Sequence, residues 1–315
     1  MIKFRKFLRK TISKEFFNSS LKKKKFVKIK KIKVPFLSLV GPPRSGTTFF
    51  YNFILKNFDF DYVSNIEYLF YKYPFFSIKI GRYLKKIFHI NRNYNSKYGF
   101  SSGLTSPSEN SLFWEDFVGF RDFKSSIESK KLNLNTLRYI FNYRYKNNKK
   151  PVINKWTPLI FYKKNLDKIF QINKYIGIIR NPYQTANSIL LARKKINNSK
   201  NEWWSFAPTG SQKYSNPYDQ ISFQVCSYLL KMKALEKNGE IEIFSYEEII
   251  RNPKLTLQRL RQYIGHMNIK EKKQESIILD KNFLKPKKIS NNLFNSLNYM
   301  IKKNKLNEFL KKYIS

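Results

Sequence analysis

Short apolar runs of strand length recur along this chain. Between them lie longer stretches in which apolar residues return every three or four positions. The first run is Phe36-Leu37-Ser38-Leu39-Val40; others lie at 151–155, 174–180 and 241–246, and a further short strand is predicted at 59–64. Helical patterning covers 49–55, 66–90 with a break near Pro74, 134–145, 182–195, 220–238, 253–264 and a last segment from Leu293. Pro107-Ser108-Glu109-Asn110 reads as a helix start, with Ser108 as cap and Leu112, Phe113, Phe117 and Phe120 as the apolar stripe behind it. Segments 94–107, 201–217 and 281–292 read as loops. Strands that alternate with helices over long connections predict a parallel sheet covered on both faces.

Composition sharpens the picture. The chain has 315 residues, 42% of them hydrophobic, enough for one large α/β domain. Residues 1–33 form a basic arm containing Lys22-Lys23-Lys24-Lys25, and 34–315 form the folded domain. The arm lacks the apolar core of a secretory signal, and no apolar run approaches the roughly 18 residues of a membrane span. Lys and Arg number 62 against 21 acidic residues, a formal net charge of +41, which favours anionic partners. An anionic membrane face is one such partner, by peripheral contact of the arm. No nucleic-acid module signature appears, so no nucleic acid is expected. The single cysteine, Cys226, excludes an intramolecular disulfide and fits a cytoplasmic setting, peripheral to a membrane if the arm engages one. With only His89 and His266, a metal site built on several histidines is excluded.

The densest chemistry follows the first strand. Gly41-Pro42-Pro43-Arg44-Ser45-Gly46-Thr47-Thr48 has the glycine spacing of a nucleotide P-loop, G-x-x-x-x-G-K-[ST]. A loop that feeds a helix N-terminus offers unpaired N–H groups to a phosphate. The P-loop lysine is missing: Thr47 stands in its place and the cation lies three residues earlier, at Arg44. A nucleoside triphosphatase also needs an acidic strand end for Mg²⁺. Here the strand ends carry Lys155 and Arg180 instead, cations suited to a second phosphate. Ser188, two helical turns beyond Arg180, adds a hydroxyl donor. The fold class is therefore α/β, a P-loop-type parallel sheet with helices on both faces.

The PxSGTT loop with a basic residue before its serine resembles the 5′-phosphosulfate loop of sulfotransferases that use 3′-phosphoadenosine 5′-phosphosulfate (PAPS). Arg180…Ser188 within IIRNPYQTANSIL resembles their 3′-phosphate segment. Residues 154–158, 244–253 and Leu284-Lys285-Pro286 extend the resemblance over about residues 35–290, and it is best to the bacterial and Golgi-type branch, which includes protein-tyrosine and carbohydrate sulfotransferases. The resemblance implies PAPS as co-substrate, no metal, and transfer to an acceptor hydroxyl, by analogy on a carbohydrate or glycolipid. It implies that Arg44, Ser45, Gly46, Thr47, Thr48, Arg180, Ser188, Tyr246 and Lys285 bind the nucleotide. Arg44 and Lys155 then stabilise the transferring group, and Glu109 or Glu67 acts as the base. Trp114, Trp203 and Trp204 are available for stacking or for the core. Asn181 stands where the family often has Asp. The alternatives are a P-loop nucleotide kinase or NTPase, and a basic nucleic-acid- or membrane-binding protein.

Overall fold

The computed structural model describes residues 32–87, 101–120, 134–196, 199–272 and 288–314. The basic arm up to residue 31 and Lys285 lie outside the described residues.

Among the described residues four parallel strands form one sheet: β1 (Phe36–Val40), β2 (Val152–Asn154), β3 (Asn173–Ile179) and β4 (Ile241–Ser245), in the order β2-β1-β3-β4. Every residue of β1 is buried, as expected of a central parallel strand paired on both edges. Leu37 lies opposite Ile153 on one side and Lys174 on the other. Alternation along β1 sends Phe36 and Val40 into one apolar core, Leu37 and Leu39 into the other.

Helices cover both faces. After β1 come α1 (Thr47–Asn57), α2 (Asn65–Leu69), α3 (Pro74–Ile87) and α4 (Leu134–Asn148). The short α5 (Lys163–Leu166) precedes β3, and α6 (Pro182–Ile196) and α7 (Pro217–Lys237) connect β3 to β4. Then follow α8 (Tyr246–Arg251), α9 (Pro253–Ile264), α10 (Asn291–Lys303) and α11 (Asn307–Lys311). Residues of α1, α8 and α9 fill the core beneath Leu37 and Leu39; α4, α6, α7 and α10 fill the other. Among the described residues no helix is long and apolar enough to cross a membrane.

Two local expectations differ. Segment 59–64 makes only isolated bridges, Asp61 to Val152 and Ser64 to Pro107. Asp61 N and O bond to Pro151 and Ile153 beside β2, while the Asp61 carboxylate pairs with Arg144. The segment beginning at Pro107 is not helical until Ser111, and Phe113–Val118 is then a π-helical turn. Ser108 Oγ accepts from Asn110 N at 3.2 Å, and Asn110 takes a left-handed φ of 59°, so Glu109 sits in a turn ahead of the helix.

Candidate active site

Because all four strands run parallel, their carboxyl ends open on one edge. That edge carries the Gly41–Thr48 loop after β1, Lys155 after β2, Arg180 after β3 and Tyr246 after β4. The chain leaves β1 toward β2 and leaves β3 toward β4, in opposite directions. The crevice of this sheet therefore lies between the ends of β1 and β3, where open α/β sheets take ligands. Arg44 and Arg180 stand on its two sides.

The first loop is shaped by Gly46, the N-cap of α1, with φ 97°. A Cβ there would meet the Tyr246 ring at 2.4 Å. Glycine thus serves both the left-handed backbone and the close approach of Tyr246. Arg180 in turn lies with its guanidinium 4.9 Å from the centroid of the same ring, so loop, tyrosine and arginine form one stack. Burial pushes the Tyr246 hydroxyl above its ordinary range, against the opposing pull of Arg180. Arg44 is non-glycine yet has φ 69°, a conformation that is costly away from functional sites. It aims the side chain across the crevice: Nε donates to Ser188 Oγ at 3.1 Å, and the guanidinium lies 5.8 Å over the Trp204 ring. Ser45 N donates to Pro42 O at 3.1 Å, closing a turn that feeds directly into the N-terminus of α1, the positive end of a helix. Ser45 Oγ is buried without a hydrogen-bond partner among the described residues.

A second line of contacts crosses the mouth of the loop. Lys155 Nζ donates to Thr48 Oγ1 at 2.6 Å and pairs with Glu109 Oε1 at 2.5 Å. The Lys155 side chain is 2% exposed, whereas that of Glu109 is 32% exposed and reaches solvent. Asn154 locks the strand end: its Oδ1 accepts from Trp114 Nε1 at 3.0 Å and from Trp156 N at 3.1 Å. Trp114 is fully buried and stacks in parallel on Phe120 and Trp156, so it belongs to the core. Trp203 and Trp204 remain half-buried, each beneath a guanidinium, that of Arg193 and that of Arg44.

Glu67 has different surroundings. It closes a capping box with Ser64 at the start of α2. Its Oε2 pairs with Arg144, and its Oε1 accepts from Lys85 Nζ at 2.9 Å and Ser64 Oγ at 3.0 Å. Asp61 joins the same cluster through Arg144 at 3.0 Å. Burial pushes the Asp61 carboxyl up, but the charges of Arg144 and Lys85 outweigh it and hold that carboxyl below its ordinary value. Gly81 admits the cluster, since a Cβ there would meet Glu67 Cγ at 2.4 Å. Both candidate carboxylates thus hold cations. Glu109 holds the cation that touches the loop; Glu67 is enclosed between α2, α3 and α4.

The sequence reading did not foresee the Thr48–Lys155–Glu109 line or the role of Arg144. No spacing signals either, because each links segments brought together only by the sheet and its helices. Among the described residues no group of three or more His, Cys, Asp or Glu side chains is arranged to hold a metal ion.

The sulfotransferase domain family model matches residues 35–314. Among solved structures, the sulfotransferase STF9 from Mycobacterium avium is similar with a TM-score of 0.50 and 11% identity, covering 86% of this chain and 69% of that one. A sulfotransferase from Alicyclobacillus acidocaldarius gives a TM-score of 0.44 and 15% identity, over 87% of this chain and 93% of that one. Comparison with curated proteins gave no significant match. At 11% identity the likeness to the Mycobacterium avium structure speaks for the fold alone. The family model, spanning nearly the whole of the folded chain and the loop-and-arginine crevice with it, identifies the protein as a member of the sulfotransferase domain family and an enzyme of sulfotransfer.

Proposed function

We propose that this sulfotransferase uses PAPS as donor and an acceptor hydroxyl as nucleophile. One observation carries the reading: Lys155 touches Thr48 of the anion-binding loop at 2.6 Å and Glu109 at 2.5 Å. A cation for the leaving oxygen and a carboxylate for the incoming hydroxyl are thereby held at one point of the crevice.

In this mechanism the N–H groups of Gly46 to Thr48, with Ser45, Thr47 and Thr48 hydroxyls, bind the 5′-phosphate at the N-terminus of α1. Arg180 and Ser188 bind the 3′-phosphate, and Tyr246 and Lys285 support the nucleotide. Glu109 takes the proton of the acceptor hydroxyl as its oxygen attacks sulfur. The new O–S bond forms as the bond between sulfur and the bridging phosphate oxygen breaks. Lys155 and Arg44 stabilise the negative charge that gathers on that oxygen and on the sulfuryl group. The products are the sulfated acceptor and adenosine 3′,5′-bisphosphate. No step draws on a metal.

The acceptor we favour is a carbohydrate or glycolipid hydroxyl. Support comes from the half-buried ring of Trp204, beside Arg44 at the crevice, which suits a sugar face; Trp203 lies next to it in the chain. A cytoplasmic site of action fits the single buried cysteine. The test is transfer of labelled sulfate from PAPS to a panel of glycans and lipid extracts, with calorimetry of the bisphosphate product beside it. Bisphosphate binding with label in a glycan supports the reading. Equal affinity for the bisphosphate and 5′-AMP, with no transfer, would overturn the donor assignment.

A further inference from the structure

Helix α3 is apolar on two opposite sides. Its inner side packs against the domain through Ile78, at 3% exposure, and Gly81, and Lys85 on that side is held by Glu67. At 3.6 residues per turn Phe76, Ile80, Tyr83 and Ile87 fall within about 60° of one another, on the far side of the helix. Phe76 is 52% exposed, Tyr83 64% and Ile87 51%, and Ile80 between them is half-buried. Folding leaves this row in water along the whole length of the helix. Lys79 and Lys86, both exposed, flank the row on one side. A row of large apolar side chains bordered by lysines is the pattern of a helix lying in a membrane interface, rings and branched chains among the acyl chains and ammonium groups at the headgroups.

We infer that the Phe76–Ile87 face of α3 is a docking surface for an anionic lipid bilayer. Charge selects this occupant over a second copy of the chain. Two such faces brought together would oppose lysines to lysines on molecules that each carry a net charge of +41, whereas an anionic headgroup layer complements both. Through Lys85 and Glu67, α3 is fixed to α2, whose cap residue Ser64 pairs with Pro107, two positions before Glu109. The inference requires nothing of the sulfotransfer chemistry and is tested without it.

The test uses the full chain and its single native cysteine. Cys226 is buried, and burial pushes its thiol up to about 12, so it resists labelling under mild conditions. Tyr83→Cys is labelled with a polarity-sensitive fluorophore, and Lys254→Cys, on an exposed position of α9, serves as control. Vesicles are phosphatidylcholine with about one quarter phosphatidylglycerol. The expected result is a blue shift and an emission rise of at least about threefold at position 83, none at 254, and persistence at about 0.5 M salt, where charge attraction alone is screened. Phe76→Ser with Ile87→Ser should lower partitioning about tenfold with no change in thermal transition, since both positions are on the surface. Vesicle binding with no response at position 83 would assign it to other basic segments and overturn the inference. A response that follows protein concentration without vesicles would assign the face to a second copy, and overturn it equally.

Discussion

Arg44 Nε donates to Ser188 Oγ at 3.1 Å, joining residues 144 positions apart in the chain. One belongs to the loop after β1, the other to α6 after β3, so the bond spans the crevice between the two strands. The left-handed backbone at Arg44 turns the side chain to make it. The arginine that stands for the missing P-loop lysine is therefore joined to both of the segments proposed to bind phosphate. Ser188→Ala should weaken bisphosphate binding about tenfold, the size of one lost charge-assisted hydrogen bond, and lower turnover as Arg44 loses its bearing. Calorimetry with single-turnover kinetics checks both effects; unchanged values would separate Arg44 from Ser188 in function.

Arg180→Ala should erase the preference for adenosine 3′,5′-bisphosphate over 5′-AMP. Its guanidinium lies on the Tyr246 ring at the end of β3. The preference itself should be about tenfold or more in the native enzyme. Competition binding of the two nucleotides measures it, and a variant that still discriminates would relocate the 3′-phosphate site.

The two carboxylates should fail in different ways. Glu109→Gln removes a half-exposed carboxylate next to Lys155; turnover should fall about 10²-fold or more, with nucleotide binding and folding nearly intact. Glu67→Gln leaves Arg144 and Lys85 short of a buried counter-charge, and should cost about 3–5 kcal/mol of stability. Urea denaturation beside kinetics distinguishes them. Near-normal turnover in Glu109→Gln, with collapse in a folded Glu67→Gln, would move the base to Glu67.

Gly46→Ala should abolish nucleotide binding rather than unfold the protein. The new methyl meets the Tyr246 ring at 2.4 Å, and φ 97° is strained for alanine, about 1–3 kcal/mol. Tyr246→Ala in the same chain removes the clash and leaves the strain. Partial recovery of bisphosphate affinity in the double variant would locate the defect at that contact, and no recovery would assign it to the backbone.

Acid should destabilise the domain partly through Asp61. Its carboxyl is held below the ordinary value, so the stability it confers is complete above the unfolded pKa of about 4 and is lost as pH falls through the lower folded value. Asp61→Asn should therefore be less stable than the native chain at neutral pH, with a shallower loss below about pH 4. Urea midpoints across pH 2–7 test this, and parallel acid limbs would refute it.

Much of this protein was legible in one dimension. Phe36–Val40 could only be a buried strand, and the glycines and threonines after it only a tight turn into a helix. Arg180-Asn181-Pro182 marks a strand end and a helix start, because proline fixes the first turn; Asn181 Oδ1 accepts from Tyr183 N at 3.0 Å, as a cap should. These are local matters of periodicity and backbone preference, which a sequence carries in full. Which carboxylate meets Lys155 was not among them. Glu109 and Glu67 are both acids near a helix start, alike to any local rule. They part only because Ser64 pairs with Pro107, Gly81 opens a place for the Glu67 side chain, and Arg144 arrives from α4 to claim it. By sequence Trp114 could serve a ligand's ring or the core, and only Asn154 and a stack of rings assign it to the core. Ion pairs and aromatic stacks depend on distances between segments far apart in the chain, and those distances are set when the parallel sheet brings its four carboxyl ends to one edge.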